Sequence, residues 1–163
     1  MPQSSKPETN QESVWDYPRP PRLEKTKNRI RVIFNGAVVA ETTDAYRVLE
    51  TASPPTYYIP PEDVDFQYLT EAGYRTICEW KGRATHWDLR VGERTSEKAA
   101  WSYPDPTPDF AAIKGYLAFY PGRVDAAFVD DEEVEAQPGD FYGGWITSAI
   151  VGPFKGLPGT ENW

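Results

Sequence analysis

The plainest pattern along the chain is Ile30-Arg31-Val32-Ile33-Phe34, then Asn35-Gly36, then Ala37-Val38-Val39-Ala40. Two apolar runs are joined by a dipeptide suited to a type I′ turn, whose central residues both need positive φ. A two-residue turn pairs Phe34 with Ala37, Val32 with Val39 and Ile30 with Glu41. Both faces are then largely apolar, as in strands covered on both sides. A second hairpin is expected over 74–91, around Lys81-Gly82. With an even number of turn residues, Thr76, Cys78, Trp80, Thr85, Trp87, Leu89 and Val91 share one face. The other face then carries Arg75, Ile77, Glu79, His86, Asp88 and Arg90. An odd-numbered loop mixes these sets and buries charges, so the even register is the expectation.

Further strands are expected over 57–59, 97–103, 113–120 and 124–129, while 43–51 fits either a short helix or a strand. Pro60-Pro61-Glu62-Asp63 places proline at the start, and carboxylates in the first turn, of a short helix ending before Gly73. Long amphipathic helical periodicity is absent. The pattern therefore predicts a mainly β protein: a small β-barrel or folded-over antiparallel sheets, with one or two short helices. Residues 1–28 read as a tail, disordered over its first dozen residues, leading into an extended Pro/aromatic arm around Trp15 and Tyr17. Residues 29–136 form the β-rich domain. The Gly/aromatic segment 137–163, with Phe141, Tyr142 and Trp145, is expected to pack on it.

Composition narrows the chemistry. The 163 residues, at net charge −8, include six Trp, ten Tyr and seven Phe, so an aromatic core is expected where aliphatics are sparse. One cysteine, Cys78, excludes an intramolecular disulfide, and with one histidine, His86, the chain cannot build a zinc site from four Cys/His ligands. Two-histidine iron sites are excluded likewise, and no cofactor is implied. No signal-like or spanning apolar run occurs, so the cytoplasm is the expected compartment, with no membrane partner. Residues 1–31 carry +3 and residues 32–163 carry −11, so the acidic body is unsuited to nucleic acid. The cluster Arg22, Lys25, Lys27, Arg29 and Arg31 reads as a solvated approach to the first strand.

Several spaced motifs resemble one family. Thr76-x-Cys78-x-Trp80-Lys81-Gly82-x-Ala84 and Trp87 are followed by Ala100-Trp101-x-Tyr103-Pro104-x-Pro106 and Ile113-x-Gly115-Tyr116-x-Ala118-Phe119. In this order they are similar to the domain-of-unknown-function family DUF427. Asn35-Gly36, Arg47-Val48-Leu49-Glu50 and Tyr58-Ile59-Pro60 fit the same pattern. The resemblance spans roughly 29–136 and implies a compact β-rich domain without an established activity. The family has also been labelled nucleotidyltransferase-like. That chemistry needs a Gly-Ser pair on phosphate beside paired carboxylates on Mg²⁺. Asp63-Val64-Asp65 offers carboxylates, but no Gly-Ser dipeptide occurs in the chain.

The remaining candidates come from the residues themselves. Cys78 and His86 are the available thiol–imidazole pair, but the even register points them to opposite faces. On the polar face Glu79 lies opposite or diagonal to His86, with Asp88 and Arg90 beyond, a setting for proton transfer. Glu50, enclosed by aromatics, would be raised into acid–base range, and Glu50 with Glu79 could form a two-carboxylate site. The excess of Trp80, Trp87, Trp101, Tyr103, Tyr57 and Tyr58 over what a core needs favours a small-molecule-binding domain. Its aromatic-lined cleft would use Glu50, Tyr58, Lys81, His86, Arg90, Trp101 and Tyr103 to take an anionic, aromatic or sugar ligand. The alternatives are a metal-independent acid–base enzyme using Glu50, Glu79 or His86, and an interaction module whose terminal aromatic segments grip a partner or a second copy of the chain.

Overall fold

Asn35 and Gly36 take φ of 47° and 79°, the left-handed pair a type I′ turn demands, between Ile30–Phe34 and Ala37–Thr42. The computed structural model that shows this describes residues 11–78, 80–138, 143–156, 159–160 and 163, excepting the side chain of Tyr74. Phe34 faces Ala37 as expected. A bulge between Val32 and Ile33 then shifts the pairing, so Val32 lies opposite Ala40 and Ile30 opposite Thr42. The extra residue lets Val39 and Ala40 both turn inward, and only one face is fully covered: Val38 stays 48% exposed.

This hairpin extends through Ala126–Val129 and Glu132–Glu133 into one antiparallel sheet. A second is built in the order Leu117–Phe119, Arg94–Ser102, Gly82–Val91, Leu69–Cys78. A third joins Arg22–Lys25, Tyr46–Leu49 and Thr56–Tyr58, so the ambiguous 43–51 segment contains a strand. The protein is mainly β, with sheets folded over one another and no closed barrel among the described residues. Ile30, Val32, Phe34, Leu89, Ala100 and Phe119 fill the core shared by the first two sheets. Val48, Tyr58, Ala84, Trp101 and Tyr103 fill a second core shared by the second and third.

The helix expected after Pro60 is instead two 3-10 turns, Pro61–Asp63 and Phe66–Tyr68. Val64 separates them because it returns to extended backbone to bridge Ala40. From Leu69 the chain is already strand. Asp65 caps the second turn by accepting from Gln67 N, and Asp63 Oδ2 accepts from Thr42 Oγ1 at 2.7 Å, so both carboxylates serve local structure. No described helix is long and apolar enough to cross a membrane.

The decisive departure is the register of the second hairpin. Cys78 pairs with Gly82, Thr76 with Ala84 and Arg75 with Thr85, so an odd number of residues separates the first pair. Thr76, Cys78, Ala84 and His86 therefore share a face, and the sole thiol and sole imidazole are not on opposite sides. Contacts outside the hairpin select this register. Thr107 N donates to Lys81 O at 3.0 Å, and Thr107 Oγ1 donates to Trp80 O at 2.6 Å. Gly82, at φ 109°, supplies the backbone conformation that closes the turn. The price is the one that disfavoured the odd register from sequence: Lys81 and His86 are buried.

The terminal segments pack on the domain. Glu12–Ser13 runs parallel to Ile150–Val151, and Val14 and Tyr17 are buried with Leu49 and Ile150. Gln11 and Glu12, within the dozen residues expected to be disordered, are thus placed, while residues 1–10 lie outside the described residues. Arg47 donates to both Glu12 carboxylate oxygens, at 2.9 and 3.0 Å, which holds that carboxyl below its usual range. Trp15 Nε1 donates to Pro153 O at 2.9 Å and its ring meets Trp163. Trp145, fully buried, donates to Phe119 O at 2.9 Å. Phe141 and Tyr142 lie outside the described residues.

A docked arm must contribute stability. Val14 is fully buried, so Val14→Ala is expected to cost about 2 kcal/mol in urea denaturation. An unchanged midpoint would show that the arm contributes nothing to folding.

Candidate functional site

The odd register sets one face of the second sheet, carrying Thr76, Cys78, His86, Trp101 and Tyr103, beneath a cavity of about 420 Å³. Val48, Glu50, Thr56 and Tyr58 of the third sheet and its following loop form the facing wall. Trp80 and Lys81 close the end at the hairpin turn; Lys98, Tyr120 and Arg123 line it too. Pro54, Gln137 and Gly143 complete the enclosure.

Lys81 is only 8% exposed, although it sits in a tight turn. Its Nζ lies 6.0 Å from the Tyr103 ring centroid and 5.9 Å from that of Phe110. Burial works against its charge, but the neighbouring Tyr58 and Cys78 groups and the Glu50 carboxylate favour it, and its pKa is raised above the usual lysine value. No ion pair among the described residues includes Lys81. Tyr58 Oη accepts from Trp101 Nε1 at 3.2 Å, and its ring packs against that of Tyr103 with centroids 6.2 Å apart. Burial pushes both hydroxyls well above the usual phenol range, so they remain neutral.

His86 pairs across the sheet with Trp101, and its Nε2 lies 2.9 Å from Thr76 Oγ1. It is 5% exposed; burial, then the nearby Arg123 and Lys98 charges, depress its pKa and keep the ring neutral at pH 7. Cys78 lies two residues beyond Thr76 on the same face, ~6.7 Å farther along the strand. The imidazole Nε2 is engaged by Thr76.

Of the residues predicted from sequence, Glu50, Tyr58, Lys81, His86, Trp101 and Tyr103 line this one cavity. Glu50 does not sit in an aromatic enclosure: its side chain is 28% exposed and pairs with Arg19 at 3.5 Å. Arg90 does not line the cavity; it is exposed and its Nε donates to Gly92 O at 3.1 Å. Glu79, and with it any pairing to Glu50 or His86, lies outside the described residues.

Lys98, Arg123 and Gly143 were not foreseen. Lys98 adopts φ 53° beside a bulge, where its N donates to Asp88 Oδ1 at 2.9 Å. Arg123 ends a 3-10 turn and donates to Lys98 O at 2.7 Å. Gly143 presses its backbone on the indole: a Cβ there would stand 2.3 Å from Trp101 Cη2. Only the Gly143-Gly144 pair carried a sequence signal, as a place where backbone approaches closely.

The family model described as a domain of unknown function (DUF427) matches residues 22–130, which include every lining residue except Gln137 and Gly143. No curated protein matches the chain.

Two outcomes follow. Gly143→Ala must displace Trp101 or its own segment, costing about 1–3 kcal/mol in thermal unfolding and shifting tryptophan emission; unchanged emission and stability would contradict the contact. His86, lowered from 6.5 in the fold, is protonated first in the unfolded chain. Its contribution is therefore fully present above pH 6.5 and is lost as pH falls through the folded-state pKa. The stability difference between wild type and His86→Gln should be flat above pH 7 and change below about 6.5, the ordinary histidine value, in denaturant titrations. A difference constant down to pH 5 would refute it.

Proposed function

We propose that this chain, which belongs to the DUF427 family, binds a small anionic organic molecule in the cavity between its second and third sheets. The observation that carries the reading is Lys81: a cation nine-tenths buried, lining an aromatic-walled space, in no ion pair among the described residues and reached by the Glu50 carboxylate only through space. An anion placed against a buried ammonium gains a charge-assisted hydrogen bond in a medium less polar than water. The volume of about 420 Å³ falls in the range of small-molecule sites. Trp80, Trp101 and Tyr103 give flat apolar surfaces for a ring, and the neutral His86 and Thr76 give polar groups that orient it.

A second reading, metal-independent acid–base chemistry on the bound molecule, draws on one observation, the neutral imidazole of His86 inside the cavity. Turnover lost in His86→Gln while binding persists would select it over binding alone.

Tryptophan fluorescence titration with anionic aromatic probes tests the main reading, because Trp80 and Trp101 line the cavity. Saturable change is expected in the wild type. Lys81→Met should abolish it, with folding checked by the thermal midpoint, because the change removes the charge and keeps an unbranched chain of similar length. Binding that survives Lys81→Met at undiminished affinity would overturn the assignment.

A further inference from the structure

The cations of the cavity differ in setting, and that difference bears on which anion it takes. Lys81 stands at the hairpin-turn end, flanked by the faces of Tyr103 and Phe110. Arg123 and Lys98 stand near His86, where their charges depress its pKa. Between Gly82 and His86 the strand advances four residues, roughly 13 Å, so the turn end and the His86 region are separate subsites.

We infer, resting on the binding reading above, that the ligand is a flat carboxylic acid bound head-first, its carboxylate on Lys81 and its ring against Trp101. An ammonium has three N–H donors, enough to meet both oxygens of a carboxylate. Tyr58 already accepts the Trp101 indole N–H, so its own hydroxyl is a neutral donor at the same end. Among the described lining residues, Lys81 is the cation at this end. Arg19, the guanidinium nearest the mouth residue Glu50, is paired with that carboxylate and with the Thr51 and Trp163 carbonyls.

Phosphate sites combine a lysine or arginine cation with further donors from guanidinium forks, backbone nests or helix N-termini. The Lys81 end presents an ammonium, phenols and a thiol instead. A monoanion balances the buried charge one for one. A phosphoryl dianion would leave a second negative charge uncompensated in the same desolvated space. The far end then holds the tail of the acid. Thr76 Oγ1 and His86 lie 2.9 Å apart there, suiting a ligand hydroxyl or carbonyl.

Three probes of one shape separate the possibilities: 2-naphthoate, the neutral 2-naphthamide and 2-naphthylphosphonate, titrated at pH 8 against the full chain by fluorescence and calorimetry. The naphthoate should bind at least ~10-fold more tightly than either of the others, the size of one lost charge-assisted hydrogen bond. The preference should vanish in Lys81→Met, whose folding is checked by its thermal midpoint. Phosphonate binding as tight as naphthoate, or tighter, with dependence on Lys81 would overturn the carboxylate assignment and leave anion binding standing. Amide binding equal to naphthoate would overturn both the charge match and the anion reading. No saturation by any of the three would remove the binding reading and the inference with it.

Discussion

Burial of the Lys81 ammonium is the constraint around which the rest of the molecule is arranged. A hairpin left to its own preferences keeps its lysine in water and divides apolar from ionic residues. Here the loop after Tyr103 holds the turn from outside, through Thr107 to the Trp80 and Lys81 carbonyls, and fixes an odd number of residues in it. Because side chains alternate with a period of two, that single extra residue decides which groups of the Leu69–Cys78 and Gly82–Val91 strands face together. Thr76, Cys78 and His86 enter the cavity for the same reason that Lys81 does.

The register alone makes only a floor. The facing wall comes from the third sheet, whose Tyr58 hydroxyl links it to the floor through Trp101. Gly143 lies on Trp101 in van der Waals contact closer than any side chain permits. Gln137 takes part in the same enclosure, accepting from Gly144 N at 3.1 Å and donating to Lys155 O at 2.7 Å. Both residues lie after the stretch matched by the family model. The matched domain thus supplies the chemistry of the cavity, while a segment beyond it shapes one boundary.

Much of this was legible in the sequence. The Asn35-Gly36 turn, the second hairpin and the later strands were readable because turn chemistry and apolar runs are local properties. The convergence of Glu50, Tyr58, Lys81, His86, Trp101 and Tyr103 on one cavity was anticipated through the aromatic excess. The register was not, because the rule that strands keep charges out of the interior holds for structural faces and fails where a site buries them. The bulge opposite Val32 and the return of Val64 to Ala40 were illegible for a related reason: each is set by a neighbour distant in sequence. Arg90 looked equivalent to Lys81 by composition, yet its strand position leaves it in solvent beside Gly92. Lys98 and Arg123 reach the cavity only because a bulge and a 3-10 turn aim them there.

The contrast between the outer and inner fields has its own consequence. Over the whole chain the charge is −8, and residues 32–163, which contain the cavity, carry −11. Approaching anions meet a repulsion that grows with their own charge and is screened beyond about 8–10 Å at physiological salt. Inside, Lys81 acts over a few ångströms through a medium far less polar than water, where one ion pair outweighs the diffuse surface field. On the binding reading proposed above, a singly charged acid would cross the smaller barrier and gain the full benefit of Lys81, while a multiply charged one would meet a larger barrier and find no second cation on the Lys81 turn. On that reading the surface field and the interior charge discriminate in the same direction, against phosphate-rich small molecules.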